Sequence, residues 1–155
     1  MIRSAALLDS LPVARHLSRL AIRTVSGLHI ALYRATRGRV GRRLARHDML
    51  LLTTTGRHSG RQHTVPLLYL RVRSDLVVIA SYGGHPQHPH WYRNLVADPH
   101  AEVQLDGERF PVTARTADAG ERSRLWALAV AEYPGYTDYQ AKTTRLIPVV
   151  LLQRG

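Results

Sequence analysis

From Met49 onward, apolar residues fall in short blocks separated by glycine, proline and charged residues, which is the texture of short strands joined by turns. Met49–Thr55 is apolar and then β-branched, and Gly56-Arg57-His58-Ser59-Gly60 reads as the turn that ends it. Thr64–Arg73 is a second strand, with Pro66 requiring an edge or a bulge near its start. Ser74-Asp75 connects it tightly to a third strand, Leu76–Ser81, rich in Val and Ile. Tyr82-Gly83-Gly84-His85-Pro86-Gln87-His88-Pro89 is a loop, and Pro89 suits the first turn of a helix that runs to about Ala97 and stops at Asp98-Pro99.

Ala101–Asp106 and Arg109–Arg115 flank Gly107-Glu108 as a hairpin. Asp118 caps a helix from Ala119 to about Glu132, with Leu125, Leu128, Ala129 and Trp126 directed inward. Pro134-Gly135 breaks that helix, and Ile147–Leu152 is a last strand. Three successive strands without crossover helices argue against a parallel α/β sheet. The expected class is α+β: a small barrel of about six mainly antiparallel strands with flanking helices, occupying residues 49–155.

Residues 1–48 have a different pattern. Val13, Leu17, Leu20, Thr24 and Leu28 recur at helical steps, while Arg15, Arg19 and Arg23 form a second, cationic stripe. A short helix, Leu28–Arg34, and a Gly/Arg-rich loop, Thr36–Arg46, follow. Such a helix either rests on an anionic membrane surface or packs on the domain by its apolar face.

Composition sharpens this division. The chain has 155 residues, 45% hydrophobic and 21% charged, which suits one globular domain with a real core. Its net charge is +11, yet residues 1–48 hold ten arginines against Asp9 and Asp48, a net of +8. No base-reading motif or aromatic platform accompanies that charge, so nucleic acid is not an expected partner. The absence of cysteine excludes disulfides, thiolate catalysis and thiolate-bound metals. No apolar run approaches the roughly 20 residues of a membrane-spanning helix. Arginines interrupt any secretory core, so the expected location is cytoplasmic, with peripheral attachment to the inner face of the membrane if the basic helix rests on lipid rather than on the domain.

Four features could carry chemistry. The glycine-punctuated turn Thr53–His63 offers hydroxyls, backbone N–H groups and arginines to an anion, or is an ordinary β-turn. The small residues of Ala80-Ser81-Tyr82-Gly83-Gly84 let a flat ligand approach the backbone, or simply end a strand. His85, His88 and His90 are spaced like metal ligands, but Pro86 and Pro89 fix an extended path and no acid completes a shell, so no metal is expected. Tyr133, Tyr136 and Tyr139 cluster at a helix–loop–helix corner that can present phenols to a cavity.

Together these segments resemble the deazaflavin-dependent nitroreductase family. The residues concerned are Leu50–Gly60, Pro66-Leu-Leu-Tyr-Leu-Arg, Ala80-Ser-Tyr-Gly-Gly, Trp91-Tyr-Arg-Asn-Leu-Val-Ala-Asp-Pro, Tyr133-Pro-Gly-Tyr-Thr-Asp-Tyr-Gln and Arg145-Leu-Ile-Pro-Val-Val. The resemblance runs from about Leu28 to the C-terminus and implies a split β-barrel of the flavin-reductase type. It further implies an oxidoreductase that transfers hydride from reduced deazaflavin coenzyme F-420 to a planar quinone, enone or nitroaromatic acceptor, with FMN the less favoured cofactor.

Carried over by position, the resemblance implies that Gly56 to His63, including Arg57, His58, Ser59, Gly60 and Arg61, binds the coenzyme's phosphate and acidic tail, with Thr64 and Pro66 beside it. Ile79, Ala80, Ser81 and Tyr82 border the ring, and His90 and Trp91 contact the coenzyme from the following helix. Ser81, Tyr133, Tyr136 and Tyr139 serve the acceptor, Tyr136 by positioning or protonating it. Two departures matter. His58 and His63 replace the family's usual Lys and second basic residue, and Leu68 replaces a pocket tyrosine. Those departures keep open a non-catalytic deazaflavin-binding role, and the charge leaves a nucleic-acid or membrane adaptor as a more distant alternative.

Overall fold

The computed structural model describes residues 47–155, together with Arg43–Leu44 and the helical position Ala31. The basic amphipathic helix expected between Val13 and Leu28 lies outside the described residues. Among the described residues there are seven strands: β1 (Arg43–Leu44), β2 (His47–Thr55), β3 (Gln62–Val72), β4 (Asp75–Ile79), β5 (His100–Leu105), β6 (Glu108–Thr116) and β7 (Val149–Arg154). Besides the helical position Ala31 and a short 3-10 turn at Tyr82–Gly84, the described residues include three α-helices: α1 (His90–Ala97), α2 (Ala119–Glu132) and α3 (Gly135–Ala141). The sheet runs β1-β2-β3-β4-β7-β6-β5, every pairing is antiparallel, and a further β2–β5 pairing closes β2 to β7 into a six-stranded barrel.

The expected α+β barrel is therefore present, with small shifts of boundary. β1 falls inside the segment read as a loop, because Arg43 pairs with Asp48 and Leu44 with His47. β4 ends at Ile79 rather than Ser81, since the Ser81 backbone has turned helical, at φ −71° and ψ −43°. The β5–β6 hairpin turns on Asp106-Gly107, whose φ values of 52° and 84° suit a tight two-residue turn. Pro66 lies opposite Leu51 of β2, while β4 pairs with β3 only from Tyr69 onward. Among the described pairings, the proline thus stands where its strand has one partner, as its missing N–H requires.

Burial follows the two-residue period. β6 alternates cleanly, with Phe110, Val112 and Ala114 buried and the residues between them exposed. β4 and β7 are instead buried on both faces, which is why their sequences are continuous apolar runs. Leu76, Val78, Ala80, Val150 and Leu152 fill the barrel interior with Leu50, Leu52 and Trp91. Val77, Ile79, Val149 and Leu151 point outward, beneath Leu125 and Ala129 of α2 and Tyr136 of α3. Leu128, expected to face inward, is 44% exposed, because the face of α2 that meets the sheet carries Leu125 and Ala129 with Trp126 and Val130 packed beside them. Asp118 caps α2 in a reciprocal box with Glu121, as its position before the apolar run predicts.

Candidate active site

The turn after β2 is held by its own backbone. Gly56 N–H donates to Arg61 O at 2.7 Å and Gly60 N–H to Gly56 O at 2.8 Å. A side chain at Gly56 would have to displace its neighbours: a Cβ there would lie 2.6 Å from Ser59 Oγ and 2.9 Å from His63 Nε2. Gly60, at φ 65°, has open space where a Cβ would stand. His58, Ser59, Arg61 and His63 are exposed, and Thr64 Oγ1 bonds Thr53 Oγ1 at 2.8 Å at the base of the turn.

α1 fastens this turn to the barrel through Asn94, a residue for which no role was foreseen. Its Nδ2 donates to Thr54 Oγ1 at 3.1 Å, and its Oδ1 accepts from the N–H and Nη1 of Arg57, both at 3.2 Å. The clue is positional. Asn94 shares the stripe of buried Trp91 and Leu95, and a polar group on a buried stripe needs partners. His90 faces the same turn, and burial, followed by the charges of Arg57, Arg93 and His63, holds its pKa below the ordinary imidazole value. Arg57, His63, His90 and Arg93 therefore make one electropositive region. Trp91 is placed differently: it is 7% exposed and belongs to the barrel interior.

The exit from β4 has an unusual backbone. Ile79 and Ala80 are buried on opposite faces of the sheet, so they offer backbone rather than side chain to the surface. Tyr82, Gly83 and Gly84 then follow with φ values of 48°, 63° and 80°. Three consecutive residues in the left-handed region form a tight turn closed by Gly84 N–H to Ser81 O at 3.0 Å and His85 N–H to Tyr82 O at 3.1 Å. Glycine adopts this conformation freely, but for Tyr82 it costs about 1–2 kcal/mol. Its ring is 47% exposed and lies 4.9 Å from that of His85.

Arg145 spans this turn. Its guanidinium donates to Ala80 O (3.1 Å), Ser81 O (2.7 Å) and His85 O (2.8 Å), and Nη1 meets His88 Nδ1 at 3.2 Å. Gln140 of α3 holds the backbone beside it, donating to Arg145 O at 2.9 Å and accepting from Ile147 N–H at 3.0 Å. The sequence marked Arg145 only as part of a longer motif. Its partners lie some 60 positions away in the chain, out of reach of any local pattern. The three histidines go separate ways: His85 to Tyr82, His88 to Arg145 and Tyr92, and His90 to the cationic turn. Among the described residues no group of three or more side chains is arranged to hold a metal ion.

The tyrosines do assemble. Tyr133 and Tyr139 share a hydroxyl–hydroxyl bond of 3.1 Å, and the Tyr136 ring packs edge-on against both, at 5.1 and 6.2 Å between centroids. Burial pushes the Tyr136 phenol well above the ordinary tyrosine range, and its ring is 5% exposed. Tyr133 and Tyr136 border a shallow cleft with Leu68, Tyr69, Asp48 and Glu132. Leu68 thus does meet the tyrosine group, as an apolar wall. The tyrosine corner is keyed to the left-handed turn at Gly84, where a Cβ would lie 2.6 Å from Tyr139 O.

Comparison with known proteins identifies the family. Residues 25–154 match the family model described as F420H(2)-dependent quinone reductase. A Mycobacterium tuberculosis protein named F420H(2)-dependent quinone reductase Rv1261c is 40% identical over 131 residues, 82% of this chain and 88% of its own. A solved F420-H2 dependent reductase (FDR-A) is 43% identical, covers 68% of this chain and 93% of its own, and superposes with a TM-score of 0.62. A structure described as a domain-swapped dimer is 36% identical over 90% of this chain and 98% of its own, with a TM-score of 0.65. The chain belongs to the F420H(2)-dependent quinone reductase family.

Proposed function

We propose that this chain passes hydride from reduced deazaflavin coenzyme F-420 to a quinone, with the coenzyme tail on the Gly56–His63 turn and its ring along the exit from β4. One observation carries the reading. The single segment from Ala80 to Asn94 has its backbone clamped by Arg145 at one end and is tied by Asn94 to the electropositive turn at the other. An elongated ligand with an anionic tail and a flat head matches that layout. The residues fit the group: guanidinium, imidazole and hydroxyl donors converge at the turn, and Gly60 and Gly83 have open space where a Cβ would stand.

When bound, the reduced deazaflavin supplies the hydride, and the protein supplies binding, orientation and shelter from water. Arg57 and Arg61 would hold the tail by charge, with His58, Ser59, His63 and His90 adding hydrogen bonds. Asn94 keeps Arg57 aimed while leaving the rest of its fork for the anion. The backbone of Ile79 to Tyr82 would border the ring, and the Ser81 hydroxyl would orient the acceptor. Tyr133, half-buried at the cleft and paired with Tyr139, is better placed than Tyr136 to donate a hydrogen bond or proton to a quinone oxygen. Tyr136 and Leu68 then form the apolar wall.

Residues 1–48, at +8, would bring the barrel to an anionic membrane surface in which a lipid quinone resides. Support for this part is the charge alone. Co-sedimentation with anionic vesicles, lost on deleting residues 1–27, is the expected result.

The deciding experiment mixes protein, reduced coenzyme and menadione and follows coenzyme oxidation. Rapid oxidation only with protein present supports the reading. Coenzyme binding without turnover selects the non-catalytic alternative, and preference for FMN overturns the cofactor.

A further inference from the structure

We propose that Arg145 is a positioning residue that holds the Tyr82–Gly84 turn in its left-handed form and thereby sets the backbone against which the deazaflavin ring is placed. The proposal rests on the functional reading above. Its starting point is a conflict: Tyr82 carries a Cβ in a region of backbone space that disfavours one, at the very exit where a flat ligand would lie. Strain of this kind persists only when the surroundings over-determine it.

Arg145 supplies that determination. A guanidinium offers donors in a rigid, planar fork, and here the fork takes carbonyls on both sides of the turn. Ala80 O and Ser81 O precede the left-handed residues and His85 O follows them. Releasing any of these would let residues 82–84 leave the left-handed region, which Tyr82 disfavours. A lysine could not reproduce the clamp, because one ammonium cannot reach three carbonyls in a fixed plane. Among the described residues the partners of this guanidinium are neutral acceptors, so its charge is not cancelled by a carboxylate. The cation is committed to shaping backbone, and Gln140 fixes the main chain from which it projects.

The same bond network reaches α1. Nη1 of Arg145 meets His88 Nδ1, which must accept and therefore stay unprotonated. The His88 ring in turn packs at a tilt against that of Tyr92 of α1, 5.1 Å between centroids. Loss of the clamp would free the His88 ring to take a proton, which gives a spectroscopic marker separate from catalysis.

The test compares wild type with Arg145→Lys and Arg145→Met, using intact coenzyme and a deazaflavin riboside that lacks the phosphate and acidic tail. Circular dichroism and thermal melting first establish that each variant folds; if Met does not, Lys carries the comparison. The expected result is at least a tenfold loss of affinity for the riboside in both variants, with affinity for inorganic phosphate unchanged. Turnover with menadione should fall by a similar factor at saturating coenzyme. The His88 imidazole signal should titrate at higher pH in Arg145→Met or, if that variant does not fold, in Arg145→Lys.

A second arm isolates the backbone mechanism. In a Tyr82→Gly background, where the left-handed turn carries no penalty, the loss caused by Arg145→Lys should shrink several-fold. Folded variants that bind the riboside and turn over like wild type overturn the proposal, as does an equal loss in the Tyr82→Gly background. If wild type itself binds no deazaflavin, the functional reading fails instead, and the two failures are thereby told apart.

Discussion

Asn94 bonds Thr54 across the junction of α1 and β2, Nδ2 to Oγ1 at 3.1 Å, and with its other end it accepts from both the backbone and the side chain of Arg57. A helix that would otherwise only cover the barrel mouth thus fixes the cationic turn.

Replacing Asn94 by Ala leaves the Thr54 hydroxyl buried without its partner and Arg57 without its acceptor. The expected cost is about 1–3 kcal/mol of stability. Coenzyme affinity should fall further than turnover at saturation. Chemical denaturation combined with a binding titration checks both, and a stability loss with unaltered affinity would show that Asn94 does not aim Arg57.

The two adjacent glycines of the left-handed turn should respond unequally. At Gly83 a Cβ meets nothing within 4 Å, so Ala there costs the backbone penalty, about 1–2 kcal/mol. At Gly84 the same methyl would stand 2.6 Å from Tyr139 O and 2.9 Å from Lys142 Cβ. Gly84→Ala should therefore melt well below Gly83→Ala and displace the tyrosine corner. Equal melting temperatures would contradict the close approach of α3 to this turn.

The phenols should divide by position. Tyr133→Phe removes a hydroxyl at the cleft and its bond to Tyr139, and turnover should fall about tenfold or more with coenzyme affinity retained. Tyr136→Phe alters a phenol that is nearly enclosed, and turnover should stay near wild type. The reverse ranking, read from steady-state rates, would return the proton-donor role to Tyr136.

Acid should weaken the unliganded protein. Burial and neighbouring cations lower the pKa of both His88 and His90. The unfolded chain then binds more protons than the native one below the unfolded histidine value of about 6.5. Stability is fully present above that pH and declines as pH falls through it toward the depressed native values. An anion on the turn opposes the effect at His90 by favouring its protonated form. Melting temperatures should therefore drop from pH 7.5 to 5.5, less steeply with the coenzyme present. A coenzyme-induced rise in melting temperature that is the same at both pH values would exclude His90 as a source of pH dependence.

The elements that depend on local chemistry were legible in the chain. Alternation along Phe110–Ala114, the Asp118 cap and the Pro134-Gly135 break each rest on forces that act within a few residues. The order of the segments also carried the family. Tertiary structure decided what depends on residues far apart in sequence: closure of β2 on β5, the turning of Leu128 to solvent, and the burial of Trp91 and Tyr136. It also produced the two polar ties that shape the candidate site. Asn94 could be suspected from its place on a buried stripe, but its partners 37 and 40 positions away could not. Arg145 stood in a motif with no role attached, because its hydrogen-bonding role exists only once the chain end has returned to the exit of β4. Sequence alone therefore determined the strands, the helices and the family, because local patterning is written residue by residue. The left-handed turn and its clamp belong to the folded molecule, in which strain at Tyr82 is held by a guanidinium some 60 residues distant.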